Sequence, residues 1–548
     1  MQLARRLYFY FVAAVSLAAL SLGLVNLLEL LLSALRDAVS SADVIAADSD
    51  AVRRNLSIYA AITIVALPIW LLHWIQAERG LRGADADTER RSAARALYLT
   101  VILTGAFIAG TVAMVRLIQI GVLRLADADS GRVPGNGEQW IALTAVSGAV
   151  FVYHGLLRLR DMRGGPMSGA ADWLPRLYVY TAAMTGLTLA TFAAGDLLAL
   201  VVEVLTTDAA VLVGNDAWDG VLASGVARAV AGAGLWTAHW YYSLRLTEAA
   251  DWRGEHARAS SLRRFYGYAV AFGAVLFALL LITRVGDAIL SEAFGVDRQG
   301  TEPFSRRFLD PLVRAMPFVA VWLCHRRIVL HEATRFSEGA RQATVRRVYV
   351  YAVALIGLGL TAFGLAGLIS VTIDRVGERS GAVIVTRGDP WLAETANLAA
   401  LTIVGAAAWL WHWSQAQQSL RHNTSAERTS TVRRAYLLII IAGGVIALLT
   451  SLAIVIYRIF AELLGVNATQ ALDEPLAVLA IAIAVLAYHA LLLRSDLASG
   501  VVEMPNGQTT FSLVISGPAG GDAATLVNTI QASLPSGYVV KLAPERDQ

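Results

Sequence analysis

Cysteine and lysine are almost absent from this chain. A single cysteine, Cys324, leaves no intramolecular disulfide framework and no cysteine metal cluster. A single lysine, Lys541, leaves arginine to carry nearly all the positive charge. Charge itself is scarce: 16% of the 548 residues are charged, against about 25% in an ordinary soluble domain. The net charge is only +3, and the arginines are spread over many short loops, which gives no support for a nucleic-acid partner. Alternating segments of about ten residues are missing too, so a transmembrane β-barrel is excluded.

What remains is hydrophobic: 56% of the residues are apolar, in runs of 20 or more. Such runs cross a hydrocarbon layer of about 30 Å as helices. The fold class is therefore an all-α polytopic membrane protein whose first partner is the lipid bilayer. The first run, from Leu7 to about Leu32, is too long for a signal-peptide core and no small-residue cleavage site follows it, so it reads as a retained helix.

Two signatures recur along the chain. One ends apolar runs in an aromatic-histidine pattern, at His73, His154, His239, His325, His412 and His489. The other opens runs with arginine and tyrosine, at Tyr8, Tyr98, Tyr178, Tyr266, Tyr349 and Tyr436. Tyr98 departs, with Arg95 three residues before it. Repetition at a fixed period marks a repeat architecture. The repeat is a helical hairpin used six times, over residues 1–84, 85–168, 169–254, 255–339, 340–425 and 426–499. The expected spans are 7–33, 55–77, 96–122, 139–159, 177–204, 219–244, 265–290, 308–331, 348–373, 393–416, 435–463 and 471–493.

Loops between repeats are rich in arginine, and loops within repeats are acidic or mixed. The positive-inside rule then puts the inter-repeat loops and both termini in the cytoplasm of a bacterial inner membrane. All six repeats share one orientation, unlike inverted-repeat transporters. Residues 500–548 change character. Val501–Met504, an Asn506-Gly507 turn and Thr509–Ser516 read as a β-hairpin. A helix follows from Asp522 to about Leu534, and Tyr538–Leu542 reads as a last strand. This small cytoplasmic ββαβ module has no identifiable protein partner.

Tyrosine and histidine lie at similar depth in each hairpin, so a hydroxyl–imidazole hydrogen bond would satisfy both where water is scarce. The same imidazoles could instead ligate haem, or relay protons and sense pH. A second set of polar groups falls in the outer half of the membrane: Asn26, Glu29, Arg116, Asp196, Arg228, Arg284, Asp287 and Arg314. Such charges either lie at the outer headgroup level, where arginine is cheap, or, if buried, pair or line a cavity. Asp196 suits Arg228 across adjacent helices, and Asp310 suits Arg314 at i,i+4. The surplus of arginine suits a small anionic solute. The Gly-rich loop before Asp522 reads as a helix cap, and no catalytic constellation or metal motif is present.

The arginine-tyrosine start and tryptophan-histidine end resemble the bacterial membrane module known as domain of unknown function 5671. The resemblance covers about residues 1–499, taken here as six copies of one hairpin. It implies architecture and supplies no mechanism. The expected function is a non-enzymatic helical scaffold or sensor without cofactor. The alternatives are a transporter or channel for a small anionic solute, and a haem-binding redox protein.

Overall fold

The computed structural model describes residues 2–39, 49–82, 86–128, 133–163, 167–206, 217–296, 303–336, 339–378, 390–422, 427–465, 471–500 and 523–533. Among them every regular element is helical and no strand occurs. In chain order the α-helices are α1 (Gln2–Val39), α2 (Ser49–Arg79), α3 (Ala86–Arg90), α4 (Ala93–Leu125) and α5 (Gly137–Met162). Next come α6 (Ala170–Thr206), α7 (Ala217–Glu248), α8 (Trp252–Arg258), α9 (Ser261–Ala293) and α10 (Phe304–Arg335). The last are α11 (Ala340–Glu378), α12 (Pro390–His422), α13 (Thr431–Leu463), α14 (Asp473–Gly500) and α15 (Ala523–Ser533).

Twelve of these helices, all except α3, α8 and α15, are long and apolar enough to cross a membrane. They are longer than the apolar runs that generate them. α4 has 33 residues, about 50 Å at 1.5 Å per residue, so it overshoots a hydrocarbon core by several turns. Capping explains part of the excess. The side chains of Ser92, Asn136 and Ser260 accept backbone N–H groups of Arg95, Gln139 and Arg263, satisfying first-turn donors beyond the apolar run.

The chain divides into two compact units, Met1–Arg494 and Ser495–Gln548. In the first, the densest packing joins consecutive helices: α1 with α2, α4 with α5, α6 with α7, α9 with α10, and α11 with α12. Each of these is an antiparallel hairpin. Neighbouring hairpins then pack in chain order, α4 against α7 and α6, α10 against α6, and α9 against α12. Small residues set the closest seam. A Cβ on Gly232 would lie 2.5 Å from the Ala190 nitrogen and 2.7 Å from the Gly186 carbonyl oxygen, so only glycine lets these backbones touch. Outward faces stay apolar, with Phe11, Ile64, Leu280 and Ile446 all more than 60% exposed. Apolar surface on that scale is covered by something other than water.

In the second unit, α15 occupies the position expected for the helix of the tail. The strands expected over Val501–Met504, Thr509–Ser516 and Tyr538–Leu542 lie outside the described residues, so a mixed α+β module is not shown.

Candidate functional site

Three buried clusters repeat at the histidine end of the bundle, and each is built from two hairpins. The second hairpin contributes a Ser-x-x-Arg-x-x-Tyr helix start: Ser92-Arg95-Tyr98, Ser260-Arg263-Tyr266 and Ser430-Arg433-Tyr436. With a three-residue spacing, arginine and tyrosine fall on one face of the helix and point together into the seam. Arg95, Arg263 and Arg433 are all buried, at 0%, 5% and 1% exposure.

The first hairpin contributes the tryptophan that follows its histidine. Trp74, Trp240 and Trp413 stack on Tyr98, Tyr266 and Tyr436 at 25°, 27° and 23° between planes. The guanidiniums lie 5.8, 4.9 and 5.7 Å from the same indoles, within cation–π range. A second tyrosine from the first hairpin completes each cluster. Tyr10, Tyr180 and Tyr351 lie 5.3, 5.4 and 5.1 Å from Tyr98, Tyr266 and Tyr436, ring to ring.

In the first two clusters the buried charge has an internal counter-charge. Arg95 Nε donates to Asp161 at 2.6 Å, and one terminal nitrogen donates to Glu78 at 2.9 Å. Arg263 donates to Glu332 at 2.9 and 2.6 Å. Asp161 and Glu332 each stand seven residues after the histidine of their hairpin, on the same helix face. Arg433 donates to the Tyr351 hydroxyl at 3.2 Å. Pairing at this depth offsets a desolvation cost of several kcal/mol per ion.

Each repeat histidine bonds through Nδ1 to the carbonyl four residues earlier, at 2.7 to 3.0 Å. In four hairpins Nε2 meets the tyrosine hydroxyl: Tyr8–His73 at 3.4 Å, Tyr98–His154 at 3.1 Å, Tyr178–His239 at 2.9 Å and Tyr349–His412 at 3.3 Å. In the other two the rings touch without a bond. Tyr266 and His325, like Tyr436 and His489, keep their hydroxyl and Nε2 buried without a partner. An iron at Nε2 would have to displace the tyrosine in the four bonded hairpins.

The outer polar set comes together only in part. Asp196 on α6 accepts from Arg228 on α7 at 2.9 Å and from Arg314 on α10, which also holds Asp310 at 3.0 Å. Two arginines and two aspartates thus balance, linking the third and fourth hairpins. The others stay apart. Asn26 donates to the Leu22 carbonyl, Glu29 accepts from Asn136, and Arg116 donates to Gln119. Asp287 meets Ser291 at 3.3 Å. Arg284 is exposed, with no ion pair among the described residues.

A cavity of about 440 Å³ opens at the histidine end between the second and third hairpins, closed below by α8. Sequence repetition explains why it lies there. Three residues before the histidine the other junctions carry Trp70, Trp236, Trp322 and Trp409, but here stands Phe151. One residue after it stands Gly155, where the hairpins at the other junctions have Trp74, Trp240, Arg326 and Trp413. At the junction of the fourth and fifth hairpins, Trp322 reaches the Tyr349 hydroxyl at 2.9 Å and Arg326 covers Trp411. Phe151 makes no such bond to Tyr178 and Gly155 leaves open space within 4 Å of its Cβ position. The cavity is the volume those two positions fail to fill. Its size is in the range of small-molecule sites. Among its charged lining residues, Arg176 is held by Asp172 at 2.5 Å. Arg253 donates to Asp251 at 2.7 Å and holds that carboxyl below the usual carboxylate range. The sequence signal missed here is the loss of a repeat aromatic, which is as informative as its presence.

The model of a family described as Domain of unknown function (DUF5671) matches the chain three times, over residues 6–149, 176–324 and 347–488. Each match takes in two hairpins, so the family unit is a pair of hairpins in three copies and not one hairpin in six. The three buried clusters fall one to a copy. No curated protein and no solved structure matches the chain.

Proposed function

The chain belongs to the DUF5671 family, and on that premise we propose a non-enzymatic integral-membrane scaffold or sensor without a resident cofactor. It lies in a bacterial inner membrane, with the histidine end and both termini on the cytoplasmic side. The arginine-rich loops between hairpins support that orientation. The observation that carries the reading is the cluster of Arg95, Trp74, Tyr98 and Asp161, repeated in the later copies. Each such cluster ties two hairpins into one body; in the first two a carboxylate meets the arginine, and in the third Arg433 donates to the Tyr351 hydroxyl. A cation so enclosed holds geometry and is not available to a passing solute.

The anion-transporter reading keeps one observation in its favour, Arg284, which has no ion pair among the described residues. Reconstitution of the full chain into proteoliposomes separates the two. A scaffold gives no chloride or phosphate flux above empty vesicles, and Arg228→Leu or Arg314→Leu lowers only the melting temperature. Flux that Arg284→Leu abolishes, with unchanged melting, would replace this reading by the transporter.

A further inference from the structure

One lining residue of the 440 Å³ cavity is not accounted for by packing. Arg158 lies on α5, four residues after His154, and no other hairpin has a charge at that position: Ala77, Ser243, Val329, Ala416 and Leu493 occupy it. The Arg158 guanidinium makes one hydrogen bond, to the Ala171 carbonyl at 3.2 Å. Its Nε is closed off from solvent and has no partner. It has no ion pair among the described residues, whereas Arg176 and Arg253 beside it are already matched by Asp172 and Asp251. The carboxylates that face it, Asp161 and Asp172, are taken up by Arg95 and Arg176, and a half-buried guanidinium with five donors and no acid of its own favours a ligand that supplies one. Most of the rest of the wall is apolar, including Leu103, Phe151 and Val179, and Leu159 is 48% exposed within a membrane-crossing helix.

We propose that this cavity binds an anionic amphiphile, its carboxylate or phosphate on Arg158 and its acyl chain along Leu103, Phe151 and Val179. The apolar wall argues against a bare inorganic anion, which would exchange full hydration for one arginine. The unpaired charge argues against a neutral lipid. The Tyr242 hydroxyl borders the same space and adds a donor near the headgroup. Asp172 also lines it, but Arg176 takes up its charge. The inference rests on the sensor reading in that it names what such a sensor would take up.

The test is equilibrium binding to the full-length, delipidated protein in phosphatidylcholine nanodiscs. The ligands are oleate, phosphatidylglycerol, neutral monoolein and inorganic phosphate. Oleate or phosphatidylglycerol is expected to bind saturably at one site. Preference for oleate identifies a free fatty acid as the source, and preference for phosphatidylglycerol a phospholipid headgroup. Arg158→Gln should weaken binding by about tenfold or more, the loss expected for a charge-assisted hydrogen bond. Gly155→Leu should abolish it by filling the space, and nothing within 4 Å obstructs the new Cβ. Both variants should melt like the parent, and if Arg158→Gln does not fold, Gly155→Leu decides alone. Equal binding by parent and folded variants, equal competition by monoolein, or full displacement by phosphate would overturn the proposal. Absent binding would leave the scaffold standing, and anion flux in proteoliposomes would remove the scaffold without touching the site.

Discussion

Arg95 and Asp161 meet at 2.6 Å with both side chains 1% exposed, joining α4 to α5. Arg95 keeps Glu78 if Asp161 is lost, but Asp161 has besides Arg95 only the half-exposed Arg160 at 3.7 Å, so Arg95→Met strands a buried carboxylate and should cost about 3–5 kcal/mol. The double variant Arg95→Met with Asp161→Leu should recover most of that loss. Denaturant unfolding of the detergent-solubilised chain, followed by tryptophan fluorescence, reads both values. A single-variant cost under about 1 kcal/mol would show that the pair holds nothing together.

The tyrosine–histidine contacts should differ in energy although they repeat in sequence. Tyr98→Phe leaves His154 Nε2 buried and unbonded, a loss of about 1–3 kcal/mol. Tyr436→Phe removes a hydroxyl that has no partner, beside a His489 Nε2 that has none either. It should be close to neutral. Equal losses at the two sites, measured in the same unfolding assay, would refute the distinction.

The seam between α6 and α7 predicts opposite signs for neighbouring glycines. Gly232→Val pushes a side chain into the Ala190 nitrogen and Gly186 oxygen, and overpacking of this kind costs about 1–3 kcal/mol or more. Gly234 has nothing within 4 Å of its Cβ position, so Gly234→Ala should stabilise the helix by about 0.5–1 kcal/mol. Melting temperatures of the two variants should move in opposite directions.

At the other end, Asp196 is the shared acceptor of Arg228 and Arg314. Its side chain is 27% exposed, so solvent screens the network and Asp196→Asn should cost only about 1 kcal/mol. The two arginines then lack their common counter-charge. Sulfate should therefore raise the melting temperature of the variant more than that of the parent, and an equal salt response would argue against the shared pairing.

Much of the architecture was legible without coordinates. Eleven of the twelve expected spans lie wholly inside a helix, and the last begins two residues early, at 471 against Asp473. The reason is that a run of apolar residues long enough to cross a bilayer can satisfy its backbone only as a helix. The helix ends were less readable, because caps such as Ser92 and Asn136 extend helices through polar sequence. The pairing of hairpins was missed. Arg95 looked like a defect in a six-fold pattern, yet arginine stands three residues before the tyrosine in five of the six hairpins, and it is the serine six residues before, Ser92, Ser260 and Ser430, that marks every second one. A period of two hairpins, roughly 170 residues, would have exposed it.

Sequence alone determined the helical membrane class and the positions that recur, since hydrophobic length and periodicity are local properties of the chain. Only the tertiary structure decided which recurring positions meet. Trp74 belongs to one hairpin and Tyr98 to the next, and their stacking under Arg95 depends on how two helix pairs dock. The cavity beside Arg158 is likewise invisible in one dimension. It exists because Phe151 and Gly155 are too small to reach across to the neighbouring hairpin, and the distance to be bridged is set by the packing of helices far apart in sequence.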